Sequence, residues 1–562
     1  MQSSAMVPAY EGLAHDIKAL GVNVVFGLMS DDTALLVTTL DAMGVKFHGT
    51  RHENNAISMS EGYASATGNL GIAILGRGPA AANSIHGATY ALRTGSRVLL
   101  IYGDVPNAAQ APNGYGPDTK AFNTAAVLQA AGLRTFTATD CTTARRTLLQ
   151  AAAAAHQGAV ALLLPMNVQF GLIDLTATDP GSVPAPPPVA KPARPAAVKT
   201  AAALLQSSRK PLFVAGLGAH RAGAREALMK LADKVGAGLA TTIKAKDMFH
   251  DHPFNAGVVG SFSHAGGRRL IDQADCVVVF GAGLNLRTTS YGMSLPADAP
   301  LIQVDSTRTN IGRWFHADVS LVADVRLAAE QLCEALPDRP AADKPLHSDE
   351  MKCWIADFDI ASEFQPQHTP RTLDPRSAAL ELDRLLPKDK NAVYDAGNFL
   401  QIVPYVSTLG PAHIKMASDF SSIGMGFGTA LGTARGTPDR TTVFYVGDGS
   451  LLMTLGELET VAREDIPLVI VVMNDCAYGA ELHYLKMRDM PVAMSVFPDI
   501  DYAPVAQAFG FQTATVRTLD ELRALAPMLQ KPDGPILIDV KINAAVAAPF
   551  LLESVEHERK KS

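Results

Sequence analysis

No uninterrupted apolar run in this 562-residue chain is long enough to span a bilayer, so no membrane-spanning helix is expected. Positive charge is not in excess either: 48 Lys and Arg stand against 55 Asp and Glu, a net charge of −7. That balance lacks the electrostatic footprint that nucleic acid or an anionic membrane surface requires, so neither is an expected partner. Cysteine is scarce. Cys141, Cys276, Cys333, Cys353 and Cys476 lack the spacing of a metal knuckle or a disulfide framework, which suits a reducing compartment. The opening residues MQSSAMVPAYEGL show no basic region followed by an apolar core, and the expectation is a soluble cytoplasmic protein.

What is present is ordinary globular composition, 48% hydrophobic and 18% charged. The length allows roughly three to four domains. Two proline-rich stretches divide it, DPGSVPAPPPVAKPARP (179–195) and the shorter LPDRPAADKP (336–345). Each block between them alternates short β-branched runs with helical patterns, which predicts three doubly wound α/β domains with parallel sheets, over 1–180, 196–340 and 370–550.

The richest segment runs from VFYVGDGS (443–450) to PLVIVVMNDCAYG (467–479). The two apolar runs read as buried parallel strands. Between them Leu451, Leu452, Leu455, Leu458, Val461 and Ala462 recur at helical spacing, giving a β-α-β unit with a right-handed crossover. Both strands then end on one side of the sheet, where Asp448 and Asp475 can converge as hard oxygen ligands for Mg²⁺ beside an anion such as a diphosphate. Gly447 and Gly449 admit close backbone approach, and the helix starting near Ser450 offers N–H groups.

These residues resemble the thiamine-diphosphate enzymes of the acetolactate synthase, pyruvate decarboxylase and benzaldehyde lyase type, whose signature is GDG followed by NN. Here the second Asn is Asp475, in the pair Asn474-Asp475. The resemblance covers nearly the whole chain and implies a pyrimidine-binding domain, a central domain and a diphosphate-binding domain. It also implies thiamine diphosphate and Mg²⁺ as cofactors. The metal would be held by Asp448, the side chain of Asp475 and the carbonyl of Ala477, with Asn474 as the alternative ligand. Tyr478 and Gly479 follow as further cofactor contacts.

Other motifs join the same resemblance. In KFHGTRHENNAISMSEGYASATG (46–68), Glu53 reads locally as a helix-start carboxylate favoured by the dipole. RHENNA also resembles the family's RHEQ-type motif, whose Glu hydrogen-bonds the aminopyrimidine ring and activates the cofactor. A carboxyl in an apolar pocket keeps its proton and can donate that bond. Met425, in GMGFGTALGTARG (424–436), matches the apolar residue that bends the cofactor. DAGNF (395–399) follows a strand, so Gly397, Asn398 and Phe399 are expected to cradle the diphosphate. GRGPAAAN (76–83) resembles a GPG-and-Asn turn with Ala80 in place of Gly, which puts Pro79 and Asn83 at the pyrimidine end.

Two acids bear on the substrate. FGLMSD (26–31) looks like the FGLPGD segment of pyruvate decarboxylases and sets Asp31 on its acid, while Glu481, six residues past Asp475, matches their catalytic Glu. Such a pair can move a proton and disfavour a carboxylate, promoting its loss as CO₂. The adjacent His pair of those enzymes is missing, since QAPN (110–113) occupies that region; His86 and His483 are weaker candidates. Against the synthases' AFQE-type motif the chain reads AFNT, keeping Phe122 and placing Asn123 where Gln is usual. In the central block GLGAHRAG (216–223) departs from GxGxxG, leaving bound FAD as a minor expectation.

The expected activity is decarboxylation and/or carboligation of a 2-oxo acid, with a small oxo acid or aldehyde as substrate, in a homodimer at least and a homotetramer as the fuller assembly. An acyloin-cleaving lyase, a flavin or nicotinamide oxidoreductase, and a non-catalytic relative are the competing readings.

Overall fold

The computed structural model describes residues 6–107, 119–175 and 189–561, so the QAPN segment and the start of the first proline-rich stretch lie outside the described residues. The chain forms three six-stranded sheets, parallel throughout. The first has the order Lys46–Gly49, Val24–Gly27, Gly71–Leu75, Val98–Asp104, Val160–Pro165, Arg134–Thr137. The second runs Asn255–Val258, Gly238–Thr241, Pro211–Ala215, Cys276–Phe280, Leu301–Asp305, Val319–Val322. The third runs Ile414–Met416, Lys390–Tyr394, Thr441–Gly447, Leu468–Asn474, Ile536–Lys541, Gln512–Val516. Central strands such as Leu468–Asn474 and Val160–Pro165 are buried at every residue, as continuous apolar runs covered on both faces require. A small antiparallel pair, Met6–Pro8 with Leu172–Asp174, lies beside the first sheet.

In the third sheet the first strand, Lys390–Tyr394, pairs with Ile414–Met416 on one side and Thr441–Gly447 on the other. The strand order therefore reverses between Lys390–Tyr394 and Thr441–Gly447, and a crevice opens at their carboxyl ends. DAGNF and GDGS both sit at its mouth.

The stretch after GDGS departs from the single helix that its periodicity predicts. It forms two short helices, Asp448–Met453 and Glu457–Arg463. The break falls at Thr454, whose hydroxyl bonds back to the Ser450 carbonyl (3.2 Å) and competes with continuation of the helix.

The first and third domains are joined by two helices, Glu53–Thr67 and Gly426–Gly436, that lie side by side. Small residues make this possible. A Cβ added at Gly432 would stand 1.9 Å from the Met59 carbonyl oxygen, one at Gly428 2.0 Å from Ser58 Oγ, and one at Gly62 2.1 Å from the Thr429 carbonyl. The buried Glu457 strengthens the join, accepting from the Arg51 N–H (2.9 Å) and from Asn55 Nδ2 (2.8 Å).

Because backbone cannot retreat from backbone, Gly432→Ala is expected to cost about 2–3 kcal/mol of stability. Gly534→Ala, where nothing lies within 4 Å of the new Cβ, should stay within about 0.5 kcal/mol of the parent. Chemical denaturation midpoints of the two variants check this; equal midpoints would refute the packing account.

Candidate active site

The crevice of the third sheet deepens into a cavity of about 520 Å³. Its floor is built from the sequence motifs: Gly397, Asn398 and Phe399 from the first strand's end, Gly447 to Ser450 from the second, and Asp475, Ala477, Tyr478 and Gly479 from the third. Glu481 lies on its rim, exposed, on the helix Gly479–Lys486.

Two carboxylates face each other at the bottom. Asp448 is 3% exposed; its carboxylate accepts from the Gly449 N–H and shares a hydrogen bond with Asp475, which is tied in turn to the Ala477 N–H. Burial pushes Asp448 up to about 6, and burial together with repulsion from Asp448 raises Asp475 well above the usual carboxylate range. Two acids this close and this poorly solvated hold a proton between them unless a cation replaces it. The surroundings leave room for one. A Cβ at Gly479 would lie 2.4 Å from Asp475 Oδ2, and one at Gly449 2.6 Å from the Tyr478 ring, so glycine at both positions keeps the cradle open. Asp448, Asp475 and the carbonyl of Ala477 form a hard oxygen set suited to a small divalent ion with phosphate oxygens completing its shell. Among the described residues no cluster of three or more His, Cys, Asp or Glu is placed to hold a metal ion.

Asn474 has a different task. Its Nδ2 donates to Asp539 (2.9 Å) and to the Ile500 carbonyl (3.2 Å), while its Oδ1 accepts from the Cys476 N–H (3.1 Å). The last bond holds Cys476 in the left-handed region, φ 53°, and so turns the chain to present Asp475 inward.

Several motif residues serve the scaffold with their side chains and the cavity with their backbones. The Ser450 hydroxyl donates to the fully buried Asp395, which also accepts from the Gly424 N–H (3.0 Å) and the Gly426 N–H (3.3 Å). Burial raises Asp395 to about 6. Asn398 spends its carboxamide on the backbone at Val546 (3.0 Å) and Ala548 (2.8 Å), fastening the C-terminal segment beside the cavity. Phe399 packs into the third domain's core. Met425 is 2% exposed against Tyr90 and Ala417 and does not line the cavity; Ile423 and Met453 do.

The first domain's candidates form a separate group. Glu53 is buried at the start of the helix Glu53–Thr67 and accepts from Asn83 Nδ2 at 3.4 Å. Pro79 opens the short helix Pro79–Asn83 and is exposed. Asp31 is exposed and paired with Lys120, which holds its carboxyl below the usual range. None of Glu53, Asn83, Pro79 or Asp31 lines the cavity that holds Asp448 and Asp475. Phe122 packs on the first domain's core, and Asn123 caps the helix Thr124–Ala130 by accepting from the Ala126 N–H (3.1 Å).

Of the two histidines, His86 does reach the cavity, with Nε2 2.6 Å from the Ser422 hydroxyl and burial lowering its pKa. His483 is buried beside the Val546 backbone, its Nε2 without a partner among the described residues. The loop 216–223 uses its glycines for packing: a Cβ at Gly216 would lie 2.3 Å from the Gly281 carbonyl.

Sequence reasoning missed Arg287, Phe550 and Leu551. All three line the cavity, with the Arg287 guanidinium 4.7 Å above the Phe550 ring. The one available signal was that Arg287 follows the buried strand Cys276–Phe280, and loops at strand carboxyl ends are where α/β ligands bind. Phe550 and Leu551 come from the C-terminal helix Pro549–Lys561, which carries no motif.

Comparison with known proteins agrees with this geometry. Family models match residues 9–127 (thiamine pyrophosphate enzyme, N-terminal TPP binding domain), 198–332 (central domain) and 395–540 (C-terminal TPP binding domain). A probable acetolactate synthase large subunit of Methanocaldococcus jannaschii is 25% identical over 96% of this chain and 93% of its own length. A probable 2-ketoarginine decarboxylase of Pseudomonas aeruginosa is 27% identical over 93% of this chain and 92% of its own. A sulfoacetaldehyde acetyltransferase of Alcaligenes xylosoxydans is 25% identical over 94% and 90%. With all three domain models in order along the chain and the paired carboxylates at the third sheet's crevice, this protein belongs to the thiamine pyrophosphate enzymes.

Proposed function

We propose that the chain is a Mg²⁺- and thiamine diphosphate-dependent lyase or transferase that acts on 2-oxo acids by decarboxylation, carboligation or both. The observation that carries the reading is the buried Asp448–Asp475 pair at the crevice, in a cavity also lined by Arg287, Phe550 and Leu551. When bound, thiamine diphosphate supplies a carbanionic carbon able to attack a carbonyl and to hold the electron pair that CO₂ leaves behind.

This chain's residues would do the rest. Asp448, Asp475 and the Ala477 carbonyl hold Mg²⁺ and through it the diphosphate. Glu53 would hydrogen-bond to the pyrimidine ring and so hold the cofactor in its reactive form. Arg287 offers a full positive charge to the substrate carboxylate, while Phe550, Leu551 and Met453 keep water from the reacting carbon. Glu481, on the rim, moves a proton to or from the product, and His86 with Ser422 is a second route. The first domain's Glu53 and Asp31 do not line the cavity of their own chain, which supports a shared site in which a second copy would present them. The unit is a homodimer at least, and a homotetramer as the fuller assembly.

Incubation with pyruvate, benzoylformate, branched oxo acids and acyloins in the presence of thiamine diphosphate and Mg²⁺ should release CO₂ with an aldehyde, an acyloin or an acetohydroxy acid. Turnover of acyloins alone would favour the lyase, and turnover of nothing in the panel would overturn the catalytic reading.

Glu53→Gln is expected to lower kcat by about 10²-fold or more while cofactor affinity stays within a few-fold. Glu53→Gln and Asp448→Asn chains, each inactive alone, should recover part of the activity when co-expressed, because a mixed dimer then contains one intact site. No recovery in mixed dimers would sink the shared-site claim.

The raised acids also predict a pH dependence. A folded-state pKa above the unfolded value stabilises the metal-free protein at low pH, and that stability is lost as pH rises through about 6 at Asp448. Mg²⁺ with thiamine diphosphate should therefore raise Tm by more near pH ~7.5 than near pH ~5.5. An equal gain at both would show that the carboxylate pair is not where the metal binds.

A further inference from the structure

A second cavity, of about 600 Å³, opens where the three domains meet, well supplied with charge. It is lined by Glu61 and Arg97 from the first domain, Arg221 and Lys244 from the central domain, and Lys415 and Asp419 from the third. Lys244 is paired with Asp419. That leaves Arg97, Arg221 and Lys415 facing one carboxylate, Glu61, which already accepts from Ser96 Oγ (2.7 Å) and Tyr90 Oη (3.2 Å).

Among the described residues the three cations hydrogen-bond only to neutral acceptors. Arg97 donates to the Gly68 carbonyl (2.9 Å) and lies 3.0 Å from His156, Arg221 donates to the Thr94 carbonyl (3.1 Å), and Lys415 to the Ser65 carbonyl (3.0 Å). Among the described residues Arg97 also leaves its buried Nε–H without an acceptor. Burial lowers Lys415 to about 8, and His220 beside it is lowered by burial and by Lys415 and Arg221. Arg97 and Lys415 are half-buried and Arg221 is exposed at the mouth, and a cluster of like charges that has lost part of its water is stabilised by an anion of its own.

We propose that this interdomain cavity is an effector site for a small phosphomonoester. Three cations against one carboxylate leave two positive charges, which match the charge of about −1.5 to −2 on a phosphomonoester near neutral pH. Two guanidinium forks and an ammonium suit its tetrahedral oxygens better than they suit a planar carboxylate. The site is also wired to the catalytic cavity. Lys415 and Asp419 face the effector cavity, while Ser418, Ser421, Ser422 and Ile423 of the same segment line the catalytic one. Thr429, from the glycine-rich helix, lines the effector cavity as well. An anion that draws Lys415 inward biases the wall against which substrate rests.

Calorimetry on protein saturated with thiamine diphosphate and Mg²⁺, titrated with glycerol 3-phosphate, tests the site without any need for turnover. One molecule per chain should bind, more tightly than malonate. Arg221→Gln should weaken binding by about 10-fold or more. Ala412→Trp, which fills the mouth without removing a charge, should abolish it, with circular dichroism and Tm reporting that both variants are folded. Absence of saturable binding, equal affinity in the parent and both folded variants, or malonate binding as tightly would overturn the proposal. Saturating glycerol 3-phosphate should also shift KM or kcat for an accepted oxo acid by about 5-fold or more in the parent and not in Ala412→Trp; unchanged kinetics with binding established would overturn the effector role.

Discussion

The molecule is organised around one close contact, backbone against backbone, between the helices Glu53–Thr67 and Gly426–Gly436. Glycine at 62, 428 and 432 removes the side chains that would otherwise hold the helices a full diameter apart. Two consequences follow. The first and third sheets are locked together with the start of each helix, at Glu53 and at Gly426, pointing to the same end. The seam also leaves its far end open, and there the charged interdomain cavity forms around Glu61, Arg97 and Lys415.

At the functional face the decisive term is electrostatic. Asp448 and Asp475 sit at the ends of adjacent strands beside the point where the strand order reverses, and burial makes a second negative charge there unfavourable without a cation. The protein supports this costly arrangement with ordinary devices. Asn474 holds the turn that delivers Asp475, Ser450 and the Gly424 and Gly426 amides donate to the neighbouring Asp395 and favour its charged form, and Asn398 pins the C-terminal segment that carries Phe550. Each is a polar side chain spent within the protein so that another group can face the ligand.

Much of this is legible in the chain. Continuous apolar runs ending in GDG and ND place two carboxylates on one sheet edge, because parallel strands joined by right-handed crossovers finish on the same side. The strands expected at 441–446 and 467–473 are found at Thr441–Gly447 and Leu468–Asn474. The direction of individual side chains is less legible. Ser450 and Asn398 carry the residue types of ligand contacts yet bond to the scaffold, and Met425 is covered by Tyr90. Periodicity likewise could not show the break at Thr454, since one hydroxyl bonding back along the chain leaves the spacing of the leucines unchanged.

By itself the sequence determined the parallel α/β class, the paired acids at 448 and 475, and the acid at 53 with its helix, because each depends on local pattern. The tertiary structure alone decided which residues from different domains share a cavity. Arg287 and Phe550 come together with Asp448 across long sequence separations, as do Arg97, Arg221 and Lys415 at the interdomain cavity. Such meetings are set by how the sheets pack, and packing here is governed by the absence of three side chains, which no periodicity records.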